Sequence, residues 1–317
     1  MADTPTDPTT TDTWARAIVQ AHADRLGLPV AGSAPPAPGG DDGADPVLQA
    51  ALRAAHALGF VAADALCVAR AWVRQTRRTG AFDAAAWPCE PVDFGLGPRP
   101  RDGAFAPCPQ ALGLYAVLPD AAWVGRMARA GVPTLQLRFK SDDARAVQAQ
   151  VRAAVAAVQG TGARLVVNDH WRAAIDAGAW GVHLGQEDLD RVGAAALPAL
   201  RAAGLRLGLS THGYAEMLRA EALGPSYIAL GAVFPTTLKA MPTPPQGLGR
   251  LAVYARLLRH RPLVAIGGID GARLGAVLAT GVGSAGVVRA LVAAADPEAA
   301  ARALLRGFED RAAAAPG

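Results

Sequence analysis

The chain has 317 residues, of which 51% are hydrophobic and only 5% are aromatic, and its net charge is +4. Its arginines are spread along helix-like stretches, whereas a nucleic-acid-binding protein needs a clustered basic face. No apolar run approaches the ~20 residues that span a bilayer. Three isolated cysteines without metal-type spacing and without a signal peptide predict a cytoplasmic protein. Binding to nucleic acid and insertion into a membrane are therefore not expected.

The first third of the chain predicts helices separated by irregular segments. Residues 1–13 consist mainly of Thr, Asp and Pro and are expected to be disordered. Apolar residues at helical spacing predict a helical extension within residues 14–80, interrupted by a Pro/Gly/Asp linker at residues 29–46. Residues 81–109 are again rich in Pro and Gly and are interpreted as a linker. This region is too interrupted for a complete enzyme domain.

From residue 110 to about residue 312, short apolar runs alternate with helical segments. The strand candidates are Leu114–Leu118, Thr134–Leu137, Leu165–Val167, Gly181–Leu184, Leu205–Leu209, Tyr227–Leu230, Leu263–Ile266 and Ala285–Val288. Among the helices, Asp142–Gln159 has one apolar stripe, and the last begins with a cap at Asp296 followed by Pro297.

Eight strand–helix units in about 200 residues predict an α/β fold, a (β/α)8 TIM barrel. The barrel would follow a mostly helical, partly disordered N-terminal extension. A doubly wound open sheet is the alternative. Such a sheet usually has a Gly-rich phosphate turn after its first strand, and here Pro119-Asp120-Ala121 stands at that place.

Polar residues follow several of the predicted strands, at the edge where parallel α/β folds bind ligands. Gln136, Arg138 and Lys140 alternate along the second strand, so they can project together toward a polyphosphate. A solvated basic strand end is the alternative. Asp169 and Asp188 follow the third and fourth strands and could together hold Mg²⁺. Asp169 could instead cap the next helix, and Asp188 could instead lie in the first turn of its helix, where an acid interacts favourably with the helix dipole.

The next two strands add a hydroxyl group and a long loop. Ser210 ends the fifth strand, where it could face a ligand or cap a helix. His183 lies inside the short fourth strand and is interpreted as a structural histidine. The loop at residues 231–247 is long for a compact barrel and is typical of a lid.

The last two strands end in Gly267-Gly268 and Val288-Arg289. Barrels often bind phosphate after these two strands, where glycine lets backbone N–H groups approach the anion. Tight turns alone would also need these glycines. Taken together, the polar strand ends predict a site for Mg²⁺, a diphosphate and a second phosphate.

Five segments resemble thiamine phosphate synthases: LQLRFK, NDHWRAAIDAGAWGVHLGQEDL, LGLSTH, YIALGAVFPTTLK and VAIGGI. The resemblance covers about residues 110–310, in order and at the expected spacing. It implies a TIM-barrel transferase that joins a hydroxymethylpyrimidine diphosphate to a thiazole monophosphate, giving thiamine phosphate and diphosphate. It also implies a dissociative route, in which diphosphate departs before the thiazole nitrogen attacks. The implied partners are small phosphorylated molecules, and a homo-oligomer is compatible with the resemblance.

The resemblance also implies roles for individual residues. The pyrimidine diphosphate site would comprise Gln136, Leu137, Arg138, Phe139, Lys140, Asn168, Ser210 and Lys239. The thiazole phosphate site would comprise Thr236, Thr237, Leu238, Gly268, Val288 and Arg289. Asp169 and Asp188 would be the Mg²⁺ ligands. Arg138, Lys140 and Lys239 would act in catalysis, because they stabilise the growing charge of the departing diphosphate.

Two positions depart from the family pattern, both on the thiazole phosphate side. The family usually has Thr-x-Thr-Lys in the sixth loop, and here Leu238 takes the place of the second threonine. The family usually has Ser-Ala after the last strand, and here Arg289-Ala290 stands there. Arg289 could replace the missing hydroxyl groups with a cationic phosphate contact, or it could mark an altered second-substrate site.

Two other functions are compatible with such a barrel. One is a thiazole tautomerase, an isomerase that does not need the pyrimidine diphosphate and metal residues. The other is a non-catalytic ligand-binding barrel whose second site has decayed. The presence of Asn168, Asp169, Asp188 and Lys239 favours the transferase.

The extension has a resemblance of its own. Its segment ALGFVAADALCVARAWVRQ is similar to the closing helices of hydroxymethylpyrimidine kinases of the ribokinase type. The glycine-rich anion hole and the catalytic aspartate region of those kinases are absent from the sequence. Residues 14–80 are therefore interpreted as a kinase remnant without kinase activity.

Overall fold

The computed structural model describes residues 8–29, 45–97, 103–236 and 243–313. Several predictions fall outside these ranges: the disorder of residues 1–7, the linker at residues 30–44, and the roles of Thr237, Leu238 and Lys239. None of the helices in the described ranges combines the length and the apolar character needed to cross a membrane.

The described residues form two compact units. The helical unit comprises those of residues 1–99 together with 213–219. The barrel unit comprises those of residues 100–212 together with 220–317. Each unit has its own buried core.

The helical unit contains three α-helices and a short 3-10 helix. These are α1 (Pro8–Leu26), α2 (Pro46–Ala57), α3 (Ala62–Thr79) and the 3-10 helix Pro91–Phe94. Helix α2 begins where Asp45 accepts hydrogen bonds from the next turn and a proline occupies the first helical position. Helix α1 begins at Pro8, not at the predicted Trp14, so the segment from Pro8 onward is helical rather than disordered.

Aromatic side chains form the centre of the helical unit. Trp72 is fully buried, and its ring centre lies 5.3 Å from that of Trp87. Phe60 stacks on Trp87 with ring centres 5.5 Å apart. Trp14 stacks on Phe82 at 4.5 Å. Trp87 and Phe82 both lie in the segment predicted as a linker.

The first part of that predicted linker is therefore packed into the core. Trp87, Cys89 and Phe94 are buried, and the carboxylate of Asp93 accepts two hydrogen bonds from Arg78, at 2.8 and 2.7 Å. The Pro/Gly-rich composition did not indicate this packing. Aromatic side chains bury a large area each, so Trp87 and Phe94 account for much of this packing.

The barrel unit is a closed barrel of eight parallel strands in sequence order. The strands are β1 (Gly113–Leu118), β2 (Thr134–Leu137), β3 (Arg164–Asn168), β4 (Gly181–Leu184), β5 (Arg206–Thr211), β6 (Tyr227–Leu230), β7 (Leu263–Ile266) and β8 (Ser284–Val287). Strand β1 pairs with β8 and closes the sheet, which excludes the doubly wound alternative. The TIM-barrel prediction and all eight predicted strands are confirmed.

Helices alternate with the strands. They are α4 (Ala121–Arg129), α5 (Ala144–Val158), α6 (Trp171–Ala177), α7 (Gln186–Ala202), α8 (Tyr214–Leu223), α9 (Gly247–Leu257), α10 (Gly271–Leu278), α11 (Arg289–Val292) and α12 (Pro297–Ala313). The predicted cap of the last helix is confirmed, because the carboxylate of Asp296 accepts a hydrogen bond from the backbone of Ala299 at 2.9 Å. A cap of this kind contributes about 1 kcal/mol to helix stability.

Candidate active site

A cavity of about 550 Å³ lies within the barrel unit, lined by inward-facing strand residues and by residues that follow the strands. Eight of the predicted site residues line it: Gln136, Arg138, Asn168, Ser210, Thr236, Gly268, Val288 and Arg289. Five predicted site residues are not part of its lining: Leu137, Phe139, Lys140, Asp169 and Asp188. The cavity thus brings together residues from both predicted substrate sites.

Inside the barrel, the cavity meets a group of buried polar side chains. The phenol oxygens of Tyr115 and Tyr227 lie 2.7 Å apart, and Gln136 Nε2 donates to Tyr115 Oη at 2.9 Å. His183 lies between Tyr227 and Ser210 and contacts both side chains. Sequence reasoning interpreted His183 as structural and did not select either tyrosine. The sequence indicated these three residues only through polar groups at strand positions that face the inside of the barrel.

Strand β2 ends at Leu137, so the predicted alternation of side chains does not extend to Lys140. The backbone N–H of Arg138 still donates to Leu118 O at 2.7 Å, and the half-buried Arg138 side chain lines the cavity. Lys140 is exposed. The carbonyl oxygen of Phe139 lies 2.9 Å from His170 Nε2, which links the segment after β2 to the segment after β3.

Asp169 has an unusual backbone conformation. Its φ of 62° makes it the one non-glycine residue with a left-handed backbone in the part of the chain that the structure describes. Such strain is often retained at functional sites. The cap position of α6 is occupied by His170, without a side-chain cap bond, so the interpretation of Asp169 as that cap is wrong. Asp188 does lie in the first turn of α7, as its alternative interpretation required.

The carboxyl groups of Asp169 and Asp188 lie close enough to shift each other's pKa. Burial, together with the neighbouring carboxyl group of Asp188, raises the pKa of Asp169 to about 6, although the charges of Lys140 and His170 oppose the rise. Burial also disfavours the charged form of Asp188. The hydrogen bond from Arg191, at 2.6 Å, together with the interaction with Asp169, outweighs that effect and lowers the pKa of Asp188.

This pair of oxygen donors fits a magnesium ion. Mg²⁺ is commonly bound by one or two carboxylates, with substrate phosphates and water as its other ligands. Within the described ranges, no group of three or more His, Cys, Asp or Glu side chains could hold a metal by itself. An ion bound by Asp169 and Asp188 would therefore need phosphate or water oxygens to complete its shell.

The turn after β7 is shaped by two glycines with left-handed backbones. A Cβ at Gly267 would lie 2.6 Å from Ala232 Cβ, and one at Gly268 would lie 2.7 Å from Pro235 O. The glycines thus allow the segment after β6 to pack directly on this turn. Phe234 N–H donates to Gly267 O at 3.0 Å across the same contact.

Two arginines line the cavity near this turn. Arg289, the first residue of α11, is exposed. Arg273, on α10, donates to Gly268 O and places its guanidinium over the ring of Phe234. Sequence reasoning did not select Arg273, because its position inside a helix showed no strand-end pattern. Arg289 adds positive charge to the side of the cavity where the second phosphate was predicted, whereas the charge of Arg273 is partly balanced by Asp270, whose carboxylate lies 3.9 Å from its guanidinium.

A closed (β/α)8 barrel, with a largely apolar cavity that polar residues at the strand ends also line, defines a TIM-barrel enzyme. The family model for thiamine monophosphate synthase matches residues 114–291. A thiamine-phosphate synthase from Neisseria meningitidis serogroup B is 54% identical over 199 residues, which is 63% of this chain and 96% of the relative. One from Escherichia coli O1:K1 is 54% identical over 201 residues, covering 63% of this chain and 94% of the relative.

A solved structure agrees with these matches. The thiamine phosphate pyrophosphorylase from Pyrococcus furiosus is 28% identical, with a TM-score of 0.55, over 63% of this chain and 96% of its own. The chain belongs to the thiamine monophosphate synthase family. It is a transferase of thiamine biosynthesis, and the family resemblance seen in the sequence is confirmed.

Proposed function

We propose that the barrel unit condenses 4-amino-2-methyl-5-(diphosphooxymethyl)pyrimidine with 4-methyl-5-(2-phosphoethyl)thiazole, giving thiamine phosphate and diphosphate. The observation that supports this reaction best is that residues of both predicted substrate sites line the same cavity. Condensation requires the two substrates to be held side by side, and a shared cavity meets that requirement.

The pyrimidine diphosphate would occupy the side of the cavity formed by β2, β3 and β5. Arg138 can bind phosphate oxygens through two parallel N–H groups, and Asn168 and Ser210 add neutral hydrogen-bonding groups. Lys140 lies near enough to Asp169 for its charge to oppose the rise in the pKa of that carboxyl group. It would therefore contact the diphosphate next to the metal site. Lys239 keeps its proposed place here by family resemblance.

Asp169 and Asp188 would hold Mg²⁺, and the ion would neutralise charge on the diphosphate. The closeness of the two carboxyl groups supports this role, since a shared cation relieves the repulsion between two neighbouring acids. The half-buried position of both side chains limits competition from water.

The proposed chemistry is dissociative and needs no nucleophilic side chain. Negative charge grows on the diphosphate as the bond to the pyrimidine methylene breaks. Arg138, Lys140 and Lys239 would stabilise that charge more strongly in the transition state than in the ground state. The thiazole nitrogen would then attack the carbon that the diphosphate has left.

The thiazole phosphate would bind on the side of β6, β7 and β8. Thr236, Gly268 and Val288 line this part of the cavity. Arg289 lines it as well and offers a cationic phosphate contact in place of the serine that the family usually has. Thr237 and Leu238 retain their proposed place here by resemblance.

The first experiment would mix the purified protein with both substrates and Mg²⁺ and follow thiamine phosphate by fluorescence after oxidation to thiochrome. Product that disappears on addition of EDTA is expected. Binding of the pyrimidine diphosphate without any product would favour the ligand-binding barrel. Isomerisation of a thiazole without use of the pyrimidine diphosphate would favour the tautomerase.

Three further predictions accompany this function. The cytoplasmic location and a homo-oligomeric state stay predictions. The interpretation of residues 14–80 as a kinase remnant also stays a prediction, because the family model matches only residues 114–291.

A further inference from the structure

Five polar side chains form one continuous hydrogen-bonded chain inside the barrel, which we call the relay. Gln136 Nε2 donates to Tyr115 Oη at 2.9 Å, and Tyr115 Oη lies 2.7 Å from Tyr227 Oη. The relay continues from Tyr227 Oη to His183 Nδ1 at 3.0 Å, and from His183 Nε2 to Ser210 Oγ at 2.8 Å. Its two ends, Gln136 and Ser210, both line the cavity and belong to the proposed pyrimidine diphosphate site.

Gly208 makes the central contact of the relay sterically feasible. In the sheet register Gly208 lies between His183 on β4 and Tyr227 on β6. A Cβ at Gly208 would lie 2.0 Å from Tyr227 Cζ and 2.3 Å from Tyr227 Oη, so any side chain there would displace the phenol. Because position 208 has no side chain, the rings of His183 and Tyr227 stack with centres 5.7 Å apart.

The relay has a direction, because each phenol has only one proton to donate. Both phenols are protonated, since burial raises the pKa of Tyr115 and of Tyr227 above the ordinary value. Gln136 Nε2 can only donate to Tyr115, so among the described contacts the proton of Tyr115 finds its acceptor at Tyr227 Oη. Tyr227 then donates to His183 Nδ1, and His183 donates from Nε2 to Ser210. The groups left for a ligand are the Gln136 carbonyl oxygen and the Ser210 hydroxyl proton.

The geometry points to a relay that selects an amino-substituted pyrimidine carrying a diphosphate, an inference that rests on the proposed function. An exocyclic amino group donates a hydrogen bond, which the Gln136 carbonyl oxygen accepts. A diphosphate oxygen accepts the hydrogen bond that Ser210 donates. Tyr115, Tyr227 and His183 are positioning residues, because they hold both ends of the relay in this polarity.

The two ends of the relay are coupled. A pyrimidine with an oxo group in place of the amino group would bring an acceptor to the Gln136 carbonyl oxygen. To donate a hydrogen bond to the oxo group, the Gln136 amide would have to rotate and present its carbonyl oxygen to Tyr115. Every hydrogen bond of the relay would then change direction. Ser210 would donate its proton to His183 and present a lone pair to the diphosphate. One wrong substituent on the pyrimidine is thus disfavoured at both ends of the relay.

The variant Tyr227→Phe tests this coupling by removing the middle hydroxyl group. We expect the KM for the amino pyrimidine diphosphate to rise about tenfold, with the KM for the thiazole phosphate unchanged. The wild type is expected to bind the amino compound at least about tenfold more tightly than its oxo analogue. Tyr227→Phe should lose most of that preference, measured by calorimetry with each compound.

Tyr254→Phe is the matched control. Tyr254 is buried like Tyr227, with 2% and 1% exposure respectively, and its hydroxyl group lies outside the relay, 3.1 Å from Gln246 Oε1. It should keep the wild-type preference. His183→Gln should retain more of the preference than His183→Ala, since glutamine has both a donor and an acceptor.

The inference is overturned if Tyr227→Phe keeps the wild-type preference, or if Tyr254→Phe loses it equally. A wild-type protein that forms no thiamine phosphate would refute the proposed function instead. In that case the calorimetric comparison of the amino and oxo compounds still tests the relay, and equal binding of the two by the wild type overturns it.

Discussion

The Nη1 atom of Arg273 donates a hydrogen bond of 2.6 Å to the carbonyl oxygen of Gly268. The same guanidinium lies 4.7 Å from the ring centre of Phe234. Arg273 therefore connects the turn after β7 to the segment after β6, and both segments contribute to the proposed thiazole phosphate site.

We expect Arg273→Ala to raise the KM for the thiazole phosphate about tenfold, because the turn loses a charged hydrogen-bond donor. The KM is measured at saturating pyrimidine diphosphate. Arg302→Ala removes an exposed arginine of α12 and serves as the control. An unchanged KM in Arg273→Ala would show that the turn holds its shape without this link.

The acidic pair gives a second prediction. Asp169→Ala or Asp188→Ala should lower kcat by roughly a hundredfold or more, as expected when a group that stabilises transition-state charge is lost. The melting temperature should change little, because removing one acid also relieves the repulsion between the two. Asp190→Ala, an exposed acid in the same helix, is the control. Wild-type turnover in either variant at the same Mg²⁺ concentration would refute the metal assignment.

Arg289 tests the departure from the family pattern. Arg289→Ser restores the residue that the family usually has, and we expect a changed KM for the thiazole phosphate. Binding of the pyrimidine diphosphate should stay as in the wild type, because that substrate is proposed to bind on the opposite side of the cavity. Steady-state kinetics and calorimetry measure the two effects. If the KM is the same as in the wild type, Arg289 does not belong to the site.

Gly208→Ala should destabilise the barrel by about 1–3 kcal/mol through overpacking, because the new Cβ would overlap the ring of Tyr227. Gly275→Ala is the matched control: this exposed helical glycine has open space around it, and alanine should stabilise α10 by up to about 1 kcal/mol. Urea unfolding measures both variants. If Gly208→Ala is as stable as the wild type, Tyr227 can move aside without a loss of stability.

His22 gives a pH prediction for the helical unit. Burial lowers the pKa of His22, with a contribution from Arg25, although the hydrogen bond to Ala84 O and the charge of Asp83 oppose the shift. As the pH falls through about 6.5, His22 therefore binds a proton in the unfolded chain before it does so in the folded protein. Stability should be full above that pH and decrease below it.

Urea unfolding at pH 7.5 and pH 5.5, followed by tryptophan fluorescence, checks this expectation, since Trp87 packs on the His22 ring with centres 5.1 Å apart. His22→Gln should lose less stability between the two pH values than the wild type. The same loss in the variant and the wild type would assign the pH dependence to other groups.

Much of the barrel could be predicted from the sequence, because its signals are local. Strands β2, β4, β6 and β7 begin and end at the predicted residues, since each is a short apolar run bounded by turn residues. The cap at Asp296 was equally local. Arg138, Asn168 and Ser210 were found because polar residues after strands must lie at one edge of a parallel sheet.

Contacts between distant residues were decided only by the tertiary structure. The sequence by itself determined that eight strands alternate with helices and which polar residues follow them, since those features depend on neighbours along the chain. It did not show that Lys140 leaves the strand pattern or that Trp87 is buried. It also did not show that the side chains of His183 and Tyr227 are in contact across Gly208. These three residues form one row only because of the register of β4, β5 and β6, which the sequence does not reveal.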